Sequence, residues 1–302
     1  CRILHIGNCK TAVEVYAMGR HLYDDVGQRV IVCTGSSAVR KEENAMTWNE
    51  FTVFAIVSAA FWIAGAVIAF RRESYSRLAA GLTGVGLCFY TVFIIALWIT
   101  LQRPPLKTMG ETRLWYSFFI IFSGLLTYRR WHYRWLMLFS TVISLVFVIT
   151  NILKPEIHDR SLMPALQSFW FVPHVTVYIF SYSVLGCAFI LALAGWFQRT
   201  DRYFPTVDRL VYIGMAFLTL GMMSGALWAK AAWGNFWSWD PKETWAAVTW
   251  CIYLLYIHLR LYGRGGRAGL NGLLVAGFIC MQMCWYGVNF LPIARNSMHM
   301  YS

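Results

Sequence analysis

The sequence predicts an all-α integral membrane protein with about eight transmembrane helices. The chain is 58% hydrophobic and only 13% charged, which is about half the charged fraction of a soluble domain. Several apolar runs also approach the roughly 20 residues that a helix needs to cross a bilayer. In chain order, the predicted spans are residues 50–70, 78–100, 114–128, 135–152, 174–197, 210–228, 244–260 and 271–291.

The basic residues indicate which way the chain is inserted. Three arginines accompany each of the short loops after the first, third, fifth and seventh spans, whereas the basic residues on the other side are spread over longer segments. Cytoplasmic loops carry an excess of Lys and Arg, so we expect the denser side to be cytoplasmic and both termini to lie outside. Membrane topology then explains the net charge of +12, and we expect no nucleic-acid partner.

The segment of residues 1–47 is polar, mixed in charge and too short for a convincing independent domain. Because the chain begins with Cys1 and not with Met, we expect it to be the remnant of a longer reading frame; a lipoprotein cleaved before a cysteine is the alternative. Residues 48–302 form the predicted eight-span domain. The sequence has eight cysteines but no Cys-x-x-Cys pair, which excludes a thioredoxin-type redox motif and a covalent haem-attachment motif in it.

One short stretch, Trp233–Glu243, concentrates aromatic residues, and we call it the Trp-rich segment. Six of the 15 tryptophans lie between Trp228 and Trp250. Single tryptophans are common at membrane interfaces, because the ring is apolar and its N–H needs a polar partner. Six of them, interleaved with a glycine and an Asp-Pro pair, favour a rigid surface for a large, flat, hydrophobic ligand. The competing interpretation is an interfacial belt in a structural or transport protein, which predicts tryptophans at similar depth in many spans.

Three histidines stand out by position. His174 lies at the outer mouth of the fifth span and His299 in the outer tail, and an even number of spans separates each of them from the Trp-rich segment. All three features therefore share one face of the membrane, where two imidazoles could ligate a metalloporphyrin iron axially. His258 lies inside the seventh span, about 22 Å from Glu243 along a helix, and an ionisable residue there is a functional candidate. The other histidines are interpreted as solvated: His5, His21, His132 and His158.

The run Trp-Gly-x-Phe-Trp-x-Trp-Asp-Pro-Lys-Glu-Thr-Trp, beginning at Trp233, resembles the WWD signature of membrane haem-handling proteins. Within that group the chain is most similar to the CcsA/ResC type, a component of the system II cytochrome c haem lyase. The resemblance covers residues 50–302 and includes an outer loop from Arg103 to Thr112. Residues 1–47 match nothing in it, and the tail Leu291–Arg295 departs from the family's usual glycine-rich form.

The resemblance implies a haem lyase component that carries haem b to the outer membrane face. There the haem would be presented for thioether attachment to the thiols of a CxxCH segment in apocytochrome c. His174 and His299 match the outer iron ligands, and His258 matches one ligand of an inner haem. A CcsB/ResB-type membrane subunit, or a missing N-terminal half, would supply the other inner ligand. The implied location is the inner membrane of the cell, with the active site on the periplasmic face. A haem exporter or delivery protein of the same superfamily, without ligation activity, is the alternative.

Other residues of the Trp-rich segment have supporting roles in this hypothesis. Trp233, Trp237 and Trp239 are expected to pack against the haem ring, and Gly234 to let the backbone approach it. Asp240 is expected to cap the seventh span, with Glu243 adding negative charge to the same first turn. These two carboxylates are the only candidates for proton transfer, although no side-chain pair is required to act as acid or base. Charge-assisted contacts suit the haem propionates, and the candidate cations are Arg103, Lys230, Lys242 and Arg295.

Overall fold

The structure, a computed structural model, describes residues 47–71, 76–154 and 164–292. Within these residues the chain folds into eight long α-helices, and the prediction of an all-α protein is confirmed. The predicted polar segment lies outside the described residues, apart from Thr47. The helices are α1 (Trp48–Arg71), α2 (Ser76–Leu101), α3 (Met109–Trp131), α4 (Arg134–Leu153), α5 (Phe171–Phe197), α6 (Phe204–Trp233), α7 (Pro241–Leu261) and α8 (Arg267–Trp285), with short 3-10 turns at Pro164–Gln167 and Gly287–Phe290.

Six of these helices, α1, α2, α4, α5, α6 and α8, are long and apolar enough to cross a membrane. The other two, α3 and α7, are not among these candidate spans. Both have a glutamate in the first turn, Glu111 and Glu243, and basic side chains in the last turn, a charge pattern that α1 shares through Glu50 and Arg71. Acidic groups at the start of a helix and basic groups at its end are stabilised by the helix dipole. The architecture is that of a multi-pass membrane protein.

Helices that follow one another in the chain pack as pairs: α1 with α2, α3 with α4, α5 with α6, and α7 with α8. The central helix is α5, which also contacts α3 and α8. In its most apolar stretch, 67% of the residues are buried inside the protein, against 33–39% in the other five candidate spans. The main hydrophobic core surrounds α5 and includes Leu185, Leu191, Val211 and Leu274. A second hydrophobic core, around Trp62, is formed by side chains of α1, α2, α3 and α4.

The turns after α3, α5 and α7 meet at one end of the bundle, which we call the basic end. There Arg260 Nη2 lies 2.6 Å from Asp208 Oδ2, and the Tyr256 hydroxyl donates to Asp208 Oδ1 at 2.7 Å. The hydroxyls of Tyr133 and Thr206 lie 3.3 Å apart and connect the α3–α4 turn with the start of α6. Three of the four arginine-rich turns are thus grouped at one end, as the topological argument requires; the turn after α1, residues 72–75, lies outside the described residues.

Two helix boundaries differ from the sequence prediction in ways that affect the site. Helix α6 continues past the predicted end at 228 as far as Trp233, because the Ala-Lys-Ala-Ala stretch that follows Trp228 consists of strong helix formers. Helix α5 begins at Phe171, before the predicted start at 174, so Pro173 lies in its first turn, where proline is tolerated. The third span is also longer than predicted, as its flanks join α3.

Close packing of α1 on α2 depends on Gly86. A Cβ added there would lie 2.7 Å from Trp62 Cδ1 and 2.9 Å from the carbonyl oxygen of Ser58. We expect Gly86→Ala to lower the free energy of unfolding by about 1–3 kcal/mol, because neither a buried indole nor a backbone carbonyl can easily move aside. The thermal unfolding midpoint of the protein in nanodiscs measures this. Gly81→Ala is the matched control, since its Cβ meets nothing within 4 Å; equal midpoints for the two variants would contradict this account of the packing.

Candidate functional site

The end of the bundle opposite the basic end is formed by the end of α6 and the starts of α5 and α7, and we call it the aromatic end. His174, in the first turn of α5, is half-buried. Its Nδ1 lies 2.8 Å from the carbonyl oxygen of Gly221 on α6. A carbonyl oxygen can only accept a hydrogen bond, so in the neutral ring Nδ1 carries the hydrogen and Nε2 the lone pair. The contact therefore fixes the tautomer and the orientation of His174.

Glycines on α6 make room for this imidazole. A Cβ added at Gly225 would lie 2.6 Å from both Cε1 and Nδ1 of His174. One turn earlier, a Cβ at Gly221 would overlap the ring of Tyr178, whose centroid is 4.8 Å from that of His174. Small residues at such positions let membrane helices approach closely. A side chain at either glycine would displace the rings packed there.

A continuous row of rings connects His174 with the Trp-rich segment. The His174 ring stacks on Trp228 with centroids 5.4 Å apart, and Trp228 in turn contacts Trp233 edge-on at 4.8 Å and Phe171 at 5.2 Å. Trp228 is buried, and its Nε1–H donates to the carbonyl oxygen of Ala165 at 2.8 Å. The imidazole and the start of the Trp-rich segment therefore form one packed unit.

Gly234 ends α6 in a left-handed conformation. Its φ is +87°, and its N–H donates to the carbonyl oxygen of Lys230 at 3.1 Å, a helix C-cap that favours glycine. The Lys230 ammonium donates to the Gly234 carbonyl oxygen at 2.6 Å and lies 5.4 Å from the centroid of Phe236. The left-handed conformation at the end of α6 thus explains why a glycine stands at position 234. Its predicted role in letting the backbone approach a ligand stays a prediction.

Asp240 and Glu243 hold the loop of residues 234–240 onto α7 through a reciprocal capping box. Asp240 Oδ1 accepts the N–H of Lys242 at 2.9 Å. Glu243 Oε2 accepts the N–H groups of Ser238 and Asp240 at 2.8 and 3.1 Å. Both residues are buried, with 5% and 8% exposure. The predicted cap by Asp240 is confirmed, and Glu243 fastens the loop that precedes it.

This box fixes two tryptophans at the tip of the loop. Trp239 has a φ of +58°, a left-handed conformation that bulky residues rarely adopt, and it is 69% exposed. Trp237 is half-buried and meets Trp239 edge-on, with ring centroids 5.7 Å apart. The buried Trp237 Nε1 has no hydrogen-bond partner among the described residues. Strained backbone at an exposed aromatic side chain is typical of functional sites.

The loop before α3 has a second capping box. Glu111 Oε2 accepts the N–H groups of Lys107 and Thr108 at 2.6 and 3.2 Å, and Arg103 donates to both carboxylate oxygens at 2.8 and 2.9 Å. Burial, followed by the nearby Arg103 guanidinium, lowers the pKa of Lys107, and Glu111 offsets part of that shift. Arg103 already has a carboxylate partner within the protein, which weakens its candidacy for pairing with a propionate.

His258, the predicted inner iron ligand, lies at the other end of the bundle. His258 is exposed in the last turn of α7, at the basic end, with its ring centroid 4.6 Å from that of Tyr262. It is thus at the opposite end of the bundle from His174, as the sequence predicts. His299 and Arg295 lie outside the described residues, so the pairing of His299 with His174 stays a prediction. In the described part of the chain, no three His, Cys, Asp or Glu side chains are grouped to hold a metal ion.

Comparison with known proteins identifies the family. Residues 106–294, more than half of the chain, match the family described as "Cytochrome C assembly protein". The chain belongs to this cytochrome c assembly family. The cytochrome c biogenesis protein CcsA of Chlorella vulgaris is 33% identical, with 84% of this chain and 96% of that protein covered. The CcsA proteins of Pelargonium hortorum and Buxus microphylla are each 31% identical, covering 68% and 74% of this chain and 81% and 86% of their own length.

Membership in the cytochrome c assembly family confirms the resemblance to CcsA-type proteins that the Trp-rich segment suggested. It places the chain in cytochrome c biogenesis and implies haem handling in general. The matched range contains His174, the whole Trp-rich segment and His258, and it ends before His299.

The sequence argument missed the residues that position His174, namely Tyr178, Gly221 and Gly225. A signal was present, because Gly214, Gly221 and Gly225 recur at helical spacing along α6 and small residues at that spacing mark close helix contacts. The sequence alone does not show which side chain fills the space beside each glycine. That depends on how α5 and α6 are rotated against each other.

The capping box at α7 can be tested directly. We expect Glu243→Ala to speed hydrogen exchange at the Ser238 and Asp240 amides by about ten-fold or more, because each N–H loses its acceptor. Exchange measured by mass spectrometry on the protein in nanodiscs gives the result. Glu50→Ala is the matched control, since Glu50 accepts the Thr47 N–H at 2.7 Å in an exposed position at the start of α1. Unchanged exchange in residues 234–240 of Glu243→Ala would show that Glu243 does not hold the loop.

Proposed function

We propose that this chain is the haem-presenting component of a cytochrome c haem lyase, working at the outer face of the inner membrane. The observation that carries the proposal is the fixed imidazole of His174, which is stacked on Trp228 and held by the Gly221 carbonyl. The substrates are haem b and the CxxCH segment of apocytochrome c. The arginine-rich turns at the basic end support an orientation of the bundle with the aromatic end outward.

His174 has the features of an iron ligand. A metal-binding histidine usually donates its other ring N–H to a carboxylate or a backbone carbonyl, which fixes the tautomer and raises the basicity of the ligating nitrogen. The bond from Nδ1 to the Gly221 carbonyl has that form, and it leaves Nε2 as the nitrogen that would bind iron. His299 would take the other axial position. Displacement of one of these imidazoles by the histidine of the CxxCH segment gives a route to release.

The Trp-rich segment supplies a surface for the porphyrin. Trp233 continues the row of rings that begins at His174, and Trp237 and Trp239 stand at the loop tip. The exposed indole of Trp239, held in a strained backbone conformation, is available to contact a ligand. Large aromatic faces stack well on a flat hydrophobic ring. Haem would thus be bound by two imidazoles and covered by indoles on the outer side of the membrane.

The chemistry requires positioning more than proton transfer. Each cysteine thiol adds across a haem vinyl group: sulfur bonds to the vinyl carbon next to the ring, and the thiol hydrogen ends on the terminal carbon. The C=C double bond becomes a single bond, with no net oxidation or reduction. Holding vinyl and thiol together converts a bimolecular encounter into a local one. Because Asp240 and Glu243 accept backbone N–H groups in the capping box, we assign them to holding the loop.

The inner site would contain His258. This residue is exposed on α7 at the basic end, where haem would enter from the cytoplasm. Its second axial ligand would come from a CcsB/ResB-type membrane subunit or from a preceding part of the chain. Haem would rest there before moving to the aromatic end. The alternative function, haem export or delivery without ligation, would use the same outer pocket and would give no thioether product.

We expect His174→Ala to abolish the low-spin, bis-imidazole absorption of haem bound at the outer site and to stop thioether formation with an apocytochrome c peptide. Gly225→Ala keeps the imidazole but displaces it, and should weaken haem binding by about 10–100-fold. Added imidazole should restore the low-spin spectrum of haem that elutes with the folded His174→Ala protein in gel filtration.

His132→Ala is the control, because His132 is exposed at the end of α3. If His174→Ala retains the wild-type spectrum and makes product at the wild-type rate, His174 is not the ligand. If the wild-type protein binds haem at the outer site but yields no thioether product with its partner subunit present, the delivery function is the correct one.

The variant His258→Ala should distinguish the supply of haem through the inner site from its binding at the outer site. We expect less haem in the variant purified from cells, because the inner site no longer receives it. Haem added to the outer side of the purified variant should still give the low-spin spectrum, because His174 lies at the other end of the bundle. Spectra before and after haem addition provide the measurement. A variant that loses outer binding of added haem as well would show that His258 acts through the fold.

A further inference from the structure

We propose that the groove between α2 and α3 binds an anionic glycerophospholipid, with an acyl chain between the helices and the phosphate at Arg129 and Arg130. The groove has a volume of about 520 Å³, within the usual range of ligand sites. It lies on the side of the bundle formed by α1–α4, separate from the aromatic end and from His258. Its occupant would be a structural or regulatory lipid and not the haem substrate.

The shape of the groove matches a chain lying along the helices. Its α2 side runs from Gly84 to Thr91, and its α3 side from Phe118 to Arg130. At 1.5 Å per residue these stretches are about 10 and 18 Å long. A Cβ added at Gly84 meets nothing within 4 Å, so this side of the groove is open and not filled by a neighbouring side chain.

The lining is apolar along most of this length. Phe118 and Phe122 lie parallel, with ring centroids 6.0 Å apart and planes 9° from parallel. The Thr91 hydroxyl donates to the Leu87 carbonyl oxygen at 2.7 Å, so it presents mainly its methyl group. Leu126, half exposed, forms part of the rim. Hydrocarbon is the complementary ligand for such a surface.

The charge is confined to one end of the groove. Arg129 and Arg130 are both exposed in the last turn of α3, at the basic end. Arg130 lies 5.5 Å from the Trp131 ring centroid, a contact that leaves its charge uncancelled. Guanidinium groups suit phosphate geometry, and basic pockets between transmembrane helices on the cytoplasmic side bind anionic head groups. A zwitterionic lipid or a purely apolar helix would not match the two adjacent positive charges.

Retention of lipid by the purified protein tests the proposal. The protein is purified into detergent, washed, and equilibrated with an equal mixture of phosphatidylglycerol and phosphatidylcholine; native mass spectrometry then counts the bound lipids. We expect one tightly retained phosphatidylglycerol in the wild type. The double variant Arg129→Gln, Arg130→Gln should lower its preference over phosphatidylcholine by about 30-fold, since each arginine near an anionic lipid contributes about one kcal/mol.

A second variant tests the groove without changing charge. Gly84→Leu places a side chain into the open space and should abolish retention of either lipid. Gly81→Leu is the matched control, because Gly81 lies on the same helix, also has open space at its Cβ and does not line the groove. Unfolding midpoints for all variants show that they are folded.

Two results would overturn the proposal. In the first, the wild type retains no lipid in stoichiometric amount, or retains it equally in Gly84→Leu and in the arginine variant. In the second, a photo-crosslinking amino acid in place of Phe122, used in native membranes, captures a polypeptide and no lipid. The groove would then be covered by a partner protein.

Discussion

The hydrogen bond between the His174 imidazole and the Gly221 carbonyl is the contact on which the aromatic end depends. It requires α5 and α6 to approach closely, which the glycines of α6 permit, and it sets the ring that stacks on Trp228. A helical carbonyl has a second lone pair, so Gly221 can accept from the imidazole without losing its place in the backbone ladder. At the outer mouth of the bundle, this extra bond gives a half-buried ring nitrogen a fixed partner within the protein.

Both of the described helices that fall short of spanning hydropathy begin with a capping box. In α3 and α7 a buried glutamate, Glu111 or Glu243, gathers the backbone N–H groups of the loop before it. The polar residues that make these helices less apolar therefore make the adjoining loops rigid. Both helices pack against neighbours in the bundle, α3 against α2, α4 and α5, and α7 against α6 and α8.

Much of the fold could be predicted from the sequence, because apolar run length and the placement of arginines follow directly from the bilayer. The exceptions have local causes. The end of α6 was placed too early because hydropathy falls after Trp228 while helix propensity does not. The cap by Asp240 was predictable from a short motif, and His174 from topology. The supporting contacts of His174, by contrast, depend on the rotation of α5 against α6, and a single sequence carries no direct signal for that rotation. Gly234 illustrates the same limit, since only its φ shows why a glycine is needed there.

The length of α6 has a consequence for how two unlike substrates could meet. Its 30 residues extend about 45 Å, whereas the hydrocarbon layer is about 30 Å thick. Even when tilted by about 20°, α6 is longer than this layer and extends beyond it at one end or at both. If the excess lies at the aromatic end, the final turns with Trp228 and Trp233 lie at the level of the lipid head groups. A hydrophobic macrocycle coming from the membrane and a hydrophilic polypeptide coming from the aqueous phase would then meet at the membrane surface. Neither would have to dissolve in the other's medium.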